Sequence, residues 1–448
     1  MSIISTLKNI LEGHLHAGSY MTKNKSCGVY LIDFACYKAP DDHKITKQKW
    51  IEKLKHLGAY SEETVSFMRK VLDKSGIGDS TYVSEVFMKN DFDPCMKEAR
   101  KEIEMSVFGS IDMLLAKTGI RCEDIGILIV NCCVYNTMPS LSSMIVNKYT
   151  LRDNIVSYNV VGMGCSAGLM AIGLAEKLLQ VHPDSYALVM STEGGTENCY
   201  LGDDRSKLLA NVMFRVGGAA ILLSNRPSDH HNCKYKLIHT VQNNGSSSDD
   251  AYKCIIQEED GAGRRGIDIT KDLFKVASTI IKSNVTMLGH LTLPLSEKLK
   301  YLTNTIARKL QPTANIRPYI PNYSKSIQLF LPHVGGKPLL DELQKNLGFD
   351  DAAMEPARMT LYRFGNTSSS SIWYELAYAE AKGRVRKGNR IWQIAFGSGF
   401  KCTSVVWQAM RTVDVDDMNP WTSEINEFPV DVDCGDEPFP IFFEPSEK

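Results

Sequence analysis

The sequence predicts an α/β fold that is built from two duplicated halves. Strand-like and helical segments alternate along most of the 448 residues, as in layered α/β proteins. The order of these segments in the first half recurs in the second half. In both halves a glycine-containing motif, with Cys165 in one and Asn366 in the other, opens a predicted helix that leads through a turn into a buried strand. The recurrence indicates a reactive or polar group at equivalent helix starts.

The first half contains the elements around Cys165. Short apolar runs that are bounded by polar or turn residues predict buried strands over residues 125–131, 186–190 and 217–223. The predicted helix begins at Cys165 and ends near residues 181–184, where a proline and an aspartate make a turn. A polar break over residues 224–232 follows the last strand. We therefore assign residues 27–228 to the first half.

The second half is predicted to cover residues 229–412 and to repeat this order. The predicted elements are strands over residues 327–331 and 391–396 and helices over residues 339–347 and 372–384. Outside the two halves, residues 1–26 form an N-terminal arm, whose first twenty residues could make a short amphipathic helix. Residues 413–448 form an acidic, proline-containing tail that we expect to wrap the surface or to be disordered in part.

The bulk composition excludes several classes of protein. With 51 basic and 52 acidic residues, the chain has a net charge of −1, so no global field attracts nucleic acid, and an anionic substrate must be met by a local patch. The twelve cysteines form no C-x-x-C pair, which indicates free thiols in a reducing compartment. The sequence has no secretory signal, and no run approaches the roughly 20 apolar residues of a membrane-spanning helix. We therefore predict no nucleic-acid partner, no metal and no transmembrane segment.

Cys165 lies in the run Gly-Met-Gly-Cys-Ser-Ala-Gly at residues 162–168, directly before helix-forming residues. The small neighbours let the backbone and a ligand come close to the sulfur. A thiol at a helix N-terminus faces the positive end of the helix macrodipole, which lowers the thiol pKa and favours the reactive thiolate. The alternative is a buried structural cysteine beside a tight turn. The flanking glycines favour a nucleophile, for which we expect a lowered pKa.

His333 and Asn366 are the candidate partners of this cysteine, because a nucleophile needs a group that handles protons or developing charge. His333 follows a predicted buried strand in a Pro-His-Val-Gly-Gly loop, and side chains at the carboxyl end of a strand often reach a site. Most other histidines lie in turns, in a polar linker or in the N-terminal arm. Asn366 precedes a serine run, where an asparagine is also a common helix N-cap.

Together, Cys165, His333 and Asn366 resemble the Cys-His-Asn set of condensing enzymes with the thiolase-type fold. The chain resembles one family of these enzymes more closely, the plant very-long-chain 3-ketoacyl-CoA synthases of fatty acid elongation. The motifs that carry this resemblance cover residues 29–38, 139–149, 162–168, 214–220, 293–297, 363–375 and 397–402. The resemblance extends over residues 27–432. The serine run that follows Asn366 distinguishes this family from enzymes that resemble chalcone synthase.

The resemblance implies a layered αβαβα fold and an acyltransferase that performs a decarboxylative Claisen condensation. Cys165 would attack an acyl-CoA thioester and hold the acyl chain. His333 and Asn366 would donate hydrogen bonds to the thioester carbonyl of malonyl-CoA and stabilise the enolate that forms as carbon dioxide leaves. One such donor typically lowers a barrier by roughly 3 kcal/mol.

The resemblance also implies the remaining features of the site and its partners. A second oxyanion hole would use the Cys165 backbone N–H, with backbone support from Gly164, Gly397, Ser398 and Gly399. The substrates would be the CoA thioesters, acyl-CoA and malonyl-CoA, and no metal or redox cofactor is implied. We further expect a homodimer, with other fatty acid elongase components as further partners. The expected location is the endoplasmic reticulum membrane, with the cytosol as the alternative.

Three features depart from the family pattern. Family members usually begin with two membrane-spanning helices, and this chain starts just past the second. The family commonly has three further histidines near the site, at positions that here hold Asn244, Leu329 and Tyr362, and its Thr-Glu-Asn run reads Thr-Glu-Gly at residues 192–194. These departures leave two alternatives open. One is a polyketide-type condensing enzyme with another starter, and the other is a weakly active or accessory subunit that binds acyl-CoA.

Overall fold

The computed structural model describes residues 27–311 and 315–432 and, beyond these, Cys434 and Phe439. The predicted N-terminal arm and most of the tail beyond residue 432 lie outside the described residues. The described strands are β1 (Tyr30–Cys36), β2 (Lys44–Ile45), β3 (Thr81–Tyr82), β4 (Ile125–Asn131), β5 (Val156–Val160), β6 (Tyr186–Glu193), β7 (Gly217–Ser224), β8 (Tyr235–Asn244), β9 (Ile255–Glu259), β10 (Arg265–Ile269), β11 (Leu329–Pro332), β12 (Arg390–Gly397) and β13 (Lys401–Ala409). The described helices are α1 (Lys47–Leu57), α2 (Glu62–Lys74), α3 (Glu85–Met88), α4 (Met96–Thr118), α5 (Leu141–Tyr149), α6 (Ala167–Val181), α7 (Arg205–Met213), α8 (Asp249–Lys253), α9 (Leu273–Thr292), α10 (Leu295–Leu310), α11 (Lys337–Leu347), α12 (Asp351–Phe364) and α13 (Ser371–Ala381).

The principal sheet has the strand order β11-β12-β13-β8-β1-β7-β6-β4-β5. In the first half, β5, β4 and β6 are parallel, and β7 runs antiparallel between β6 and β1. In the second half, β11 and β12 are parallel, and β13 runs antiparallel between β12 and β8. The second half thus repeats the order and direction of the first without its outermost strand. The predicted duplication is therefore confirmed.

The helices arrange this sheet into five layers. Helices α6 and α13 lie between the two halves, because α6 contacts β4 and β6 of one half and β12 and β13 of the other, while α13 contacts β1, β11 and β12. Helix α4 covers the other face of the first half, and α9 covers the other face of the second. The observed layering is the predicted αβαβα arrangement. The two halves meet where β1 pairs with β8, and we keep the division after residue 228 as a proposal.

The burial pattern explains why the first-half strands are continuous apolar runs. Strands β4, β6 and β7 are buried along their whole length, since helices cover both faces of the sheet. The predicted strand over residues 186–190 continues in the structure to Glu193, which brings a carboxylate to the end of β6. In the parts of the chain that the structure describes, no helix is both long and apolar enough to cross a membrane.

Candidate active site

Cys165, His333 and Asn366 line one cavity, which has a volume of about 330 Å³. Cys165 lies in a 3₁₀ turn (Gly164–Ser166) that leads into α6. His333 follows β11, and Asn366 precedes a second 3₁₀ turn (Ser368–Ser370) that leads into α13. One strand end and two helix starts therefore bring together the three residues that the sequence predicts as a set.

The Cys165 thiol is held in its protonated form in the unliganded protein. Burial raises the pKa of Cys165 to about 12. A hydrogen bond from Ser368 acts in the opposite direction, and the nearby charge of Glu193 raises the pKa further. The lowered pKa that the sequence predicts is therefore wrong, because desolvation outweighs the helix start. Attack on a thioester consequently requires that the thiol lose its proton to a neighbouring group.

The backbone around Cys165 lies against the loop that follows β12. A Cβ atom built on Gly164 would be 2.4 Å from the Ser398 backbone nitrogen, and one built on Gly397 would be 2.5 Å from the Cys165 backbone nitrogen. Side chains do not tolerate such distances, so only glycine permits this approach. Gly164, Gly397 and Ser398 line the cavity. Gly399 is not among the lining residues, and it turns the chain with a φ of 113°.

His333 presents a neutral imidazole to the cavity. Its exposed fraction is only 2%, and burial lowers the pKa of His333 to about 3. The backbone N–H donates to the carbonyl oxygen of Ile394 at 2.8 Å, and the ring packs edge-on against Phe396 with 5.5 Å between centroids. Among the described residues, the His333 Nδ1 atom has no hydrogen-bond partner. Because an unpaired buried polar atom costs free energy, this geometry suits a ring that binds a ligand.

Asn366 is fixed through its backbone. Its N–H donates to the carbonyl oxygen of Met213 at 3.2 Å, and its carbonyl oxygen accepts from the Arg215 N–H at 2.9 Å. The amide Oδ1 accepts from the Ser368 N–H at 2.8 Å. The amide NH₂ is then the part of the side chain that is left to donate to a ligand. The alternative that Asn366 is a helix N-cap is wrong, because the cap positions of the 3₁₀ turn and of α13 are Thr367 and Ser370.

Ser368 and Glu193 belong to the site, although the sequence interpretation assigns them no role. Ser368 Oγ lies 3.5 Å from Cys165 Sγ and 3.0 Å from Glu193 Oε2. Glu193 also accepts from the backbone N–H groups of Cys133 at 3.1 Å and Val134 at 3.0 Å, and burial raises its pKa. The sequence shows that Glu193 follows a buried strand. The sequence does not show that the backbone of Ser368 has a φ of +56°, which directs its side chain toward the sulfur.

The rest of the cavity wall is mostly apolar. One side is aromatic, and the Trp50 and Phe87 rings stack with centroids 6.3 Å apart, while Phe92 meets Phe87 edge-on at 5.7 Å. The other side consists of residues from the β9–β10 hairpin and the start of α9, namely Ile255, Ile267, Ile269, Leu273 and Phe274. A cavity with this lining suits an apolar chain. Sequence reasoning misses these walls because scattered apolar residues carry no chemical signature.

The three positions at which the family pattern has a histidine do not contribute to the cavity. Asn244 lies at the end of β8 and bonds through its side chain to Ser246. Leu329 begins β11, and Tyr362 lies on α12 against Gly78. None of the three is among the cavity-lining residues. The replacements therefore leave the groups around the thiol unchanged. Over the described residues, no cluster of three or more side chains that could hold a metal is found.

Comparison with known families matches both halves of the chain. Residues 20–310 match the model described as FAE1/Type III polyketide synthase-like protein, and residues 323–409 match the C-terminal model of 3-oxoacyl-[acyl-carrier-protein] synthase III. The chain is 53% identical to 3-ketoacyl-CoA synthase 11 of Arabidopsis thaliana over 414 residues, which are 92% of this chain and 81% of the relative. It is 48% identical to probable 3-ketoacyl-CoA synthase 20 of Oryza sativa subsp. japonica over 409 residues, which are 90% and 78%.

Solved structures with the same fold include a type III polyketide synthase domain. The C-terminal type III polyketide synthase domain of Steely1 from Dictyostelium matches with a TM-score of 0.65 and 16% identity, covering 86% of this chain and 99% of that domain. A point mutant of CsyB matches with a TM-score of 0.66 and 18% identity, covering 85% and 100%. These likenesses concern the fold, and they confirm the predicted thiolase-like class.

Proposed function

Because the chain belongs to the 3-ketoacyl-CoA synthase family, we propose that it condenses a long- or very-long-chain acyl-CoA with malonyl-CoA in fatty acid elongation. The products are a 3-ketoacyl-CoA, carbon dioxide and CoA. The observation that carries this proposal is the convergence of one thiol and two neutral hydrogen-bond donors, Cys165 with His333 and Asn366, on a single apolar cavity.

The first half-reaction transfers the acyl group to Cys165. The sulfur attacks the thioester carbonyl, the carbon–sulfur bond to CoA breaks, and CoA leaves as the free thiol with the proton that Cys165 gave up. The Cys165 backbone N–H, beside the Gly397–Ser398 backbone, would stabilise the oxyanion of this step. The apolar walls would hold the acyl chain, which suits a long alkyl group.

The proton of the thiol would pass through Ser368 to Glu193. The Ser368 hydroxyl lies within hydrogen-bond distance of both the sulfur and the carboxylate, so it can accept from one while donating to the other. His333 is a poor proton acceptor, because burial lowers its pKa to about 3. This route gives the protonated thiol a base within reach.

The second half-reaction forms the carbon–carbon bond. Malonyl-CoA loses carbon dioxide, and the electron pair of the broken bond becomes an enolate whose oxygen accepts hydrogen bonds from His333 and Asn366. The enolate carbon then attacks the acyl carbonyl on Cys165, and the Cys165 thiolate leaves. Neutral donors suit this step, since they stabilise a developing negative charge without having to lose a proton.

The test uses the full chain with labelled malonyl-CoA and a panel of acyl-CoAs of different length. We expect 3-ketoacyl products from long acyl chains, an acyl adduct on Cys165 by mass spectrometry, and neither with Cys165→Ala. If no acyl-CoA gives a product and Cys165→Ala behaves like wild type, the proposal is wrong. Repeated extension to cyclised products would instead identify a polyketide-type enzyme.

We further propose a homodimer that forms along β5. This strand is the edge of the sheet, and the residues from Ser157 to Asn159 are exposed. Met138, which lies just before α5, a helix that contacts β5, is 95% exposed. An exposed edge strand offers unpaired backbone groups to a second copy. Light scattering should give a dimer mass for wild type and a monomer mass for Tyr158→Lys, and a monomeric wild type would contradict the proposal.

We also propose the endoplasmic reticulum membrane as the location, with other elongase components as partners.

A further inference from the structure

Helix α10 turns its apolar side outward. Five apolar residues recur along it at three- and four-residue intervals, namely Leu295, Leu299, Leu302, Ile306 and Leu310. At about 100° per residue they fall within an arc of roughly 80° on one face. Leu295, Leu299 and Leu310 are 70%, 51% and 61% exposed. An amphipathic helix of a globular protein normally buries such a stripe, so this face is unpartnered within the described part of the molecule.

The side of α10 that is buried is polar. Glu297 is the one residue of α10 that is fully buried. Its carboxylate accepts from the Tyr319 hydroxyl and the Lys325 Nζ at 2.5 Å each, and from the Asn322 backbone N–H at 3.1 Å. A charged anchor therefore fixes the helix to the domain while its leucines point outward. The apolar stripe is thus exposed because α10 is attached to the domain through Glu297, on its polar side.

The apolar stripe is accompanied by basic residues. Helix α10 carries Lys298, Arg308 and Lys309, and its Lys300 lies 3.7 Å from the carboxylate of Glu297, the one acidic residue of the helix. On a helical projection, Lys298 and Lys309 fall directly beside the apolar arc. Helix α9, which precedes α10, contains no acidic residue and adds Lys282, while its Lys275 lies 3.9 Å from Asp250 of α8. In a chain of net charge −1, this is a local concentration of positive charge.

We propose that α10 lies flat in the headgroup region of an anionic phospholipid bilayer. The apolar stripe would enter the boundary of the acyl chains, and the flanking lysines would contact phosphate groups. A second copy of the chain is a poorer partner, because two such helices would bring their basic residues together. The exposed Met287 and Leu291 of α9 extend the apolar surface toward the start of α10. This proposal does not depend on the proposed catalytic function.

Vesicle sedimentation of the full chain tests the proposal. Wild type should sediment with vesicles of phosphatidylcholine and phosphatidylserine, and more weakly with phosphatidylcholine alone. The double variant Leu299→Glu with Ile306→Glu should bind at least about tenfold more weakly, because two inserted side chains become charged. Lys298→Gln with Lys309→Gln should lose about fivefold per lysine on the anionic vesicles and little on the neutral ones.

Val181→Glu is the matched control, because Val181 is a similarly exposed apolar residue at the end of α6 and does not belong to the apolar stripe of α10. It should bind vesicles like wild type. Circular dichroism should be unchanged in all variants, since none of the substituted side chains is buried. Two outcomes overturn the proposal: wild type that stays in the supernatant with anionic vesicles, or a double variant that sediments as well as wild type. Conversion of an oligomer to a monomer by the double variant, without vesicle binding by wild type, would identify the face as a protein interface instead.

Discussion

The two halves of the molecule use the same three positions around the cavity with different chemistry. After the equivalent strands β4 and β11, the first half places Cys133 and the second half places His333. At the equivalent helix starts, the first half has Cys165 and the second half has Asn366. The end of β6 carries a carboxylate, Glu193, whereas the equivalent end of β12 carries Gly397.

The two strand ends also cross between the halves. Glu193 of the first half reaches Ser368 at the helix start of the second half, at 3.0 Å. Gly397 of the second half reaches Cys165 at the helix start of the first, where a Cβ would be 2.5 Å from the backbone nitrogen. The duplicated frame therefore provides two equivalent crossing contacts. In the first contact, the Glu193 carboxylate and the Ser368 hydroxyl can transfer a proton. In the second contact, Gly397 has no side chain, so its backbone can lie directly against the backbone N–H of Cys165.

The largest expected effects come from substitutions that remove either the nucleophile of the first half or the hydrogen-bond donors of the second half. Cys165→Ala should abolish the acyl adduct but retain decarboxylation of malonyl-CoA, because the donors that hold the enolate remain. His333→Ala and Asn366→Ala should each retain the adduct but slow condensation by about 10²- to 10³-fold. The measurements are intact-mass analysis after incubation with acyl-CoA and release of labelled carbon dioxide. The comparison fails if His333→Ala prevents the adduct, since the second half would then act on the thiol.

Gly397→Ala should break the contact that the second half makes with Cys165. The new Cβ would meet backbone at 2.5 Å, and a buried backbone cannot move aside cheaply. We expect acylation to slow by roughly 100-fold through displaced oxyanion donors, and the free energy of unfolding to fall by about 1–3 kcal/mol. Rapid-quench acylation and urea denaturation measure the two effects.

The matched control for this substitution is Gly173→Ala on α6. The nearest atom to its new Cβ is Nε2 of Gln242, at the end of a flexible side chain, and alanine is the better residue within a helix. Its stability should stay within about 1 kcal/mol of wild type. Equal loss in both variants would mean that Gly397 is needed only for packing.

The sequence predicts the strands and helix starts that surround the site better than the contacts and protonation of the side chains within it. The buried strands and the helix start at Cys165 follow from apolar runs and small residues, and the equivalence with Asn366 follows from the order of elements. The left-handed backbone of Ser368 does not follow, because nothing in a run of serines marks which one leaves the ordinary φ range. The direction that the sequence predicts for the pKa of Cys165 is wrong, because burial depends on what packs over the sulfur.

Removing the proton path through Ser368 and Glu193 should have a smaller effect. Ser368→Ala and Glu193→Gln should slow acylation by roughly 100-fold or less, since general-base assistance of the thiol is lost while the nucleophile and its oxyanion donors remain. Single-turnover acylation as a function of pH measures this, and the loss should shrink as alkali replaces the base. Ser369→Ala is the control, because the Ser369 hydroxyl has no partner in the described structure. A loss that does not vary with pH would assign Ser368 a structural role only.

The smallest expected effect is on the reactivity of the unliganded Cys165 thiol. This measurement tells whether Glu193 accepts the proton of the thiol or acts on the thiol only through its charge. With the pKa of Cys165 raised to about 12, alkylation of Cys165 by iodoacetamide should rise steadily between about pH 7 and pH 10 without a plateau. The charge of Glu193 raises that pKa and the hydrogen bond of Ser368 lowers it. Peptide mass analysis should therefore show alkylation several-fold faster in Glu193→Gln and slower in Ser368→Ala. If Glu193 acted only through its charge, Glu193→Gln would speed acylation as well. A variant that is alkylated faster but acylated more slowly would therefore support the carboxylate as the proton acceptor.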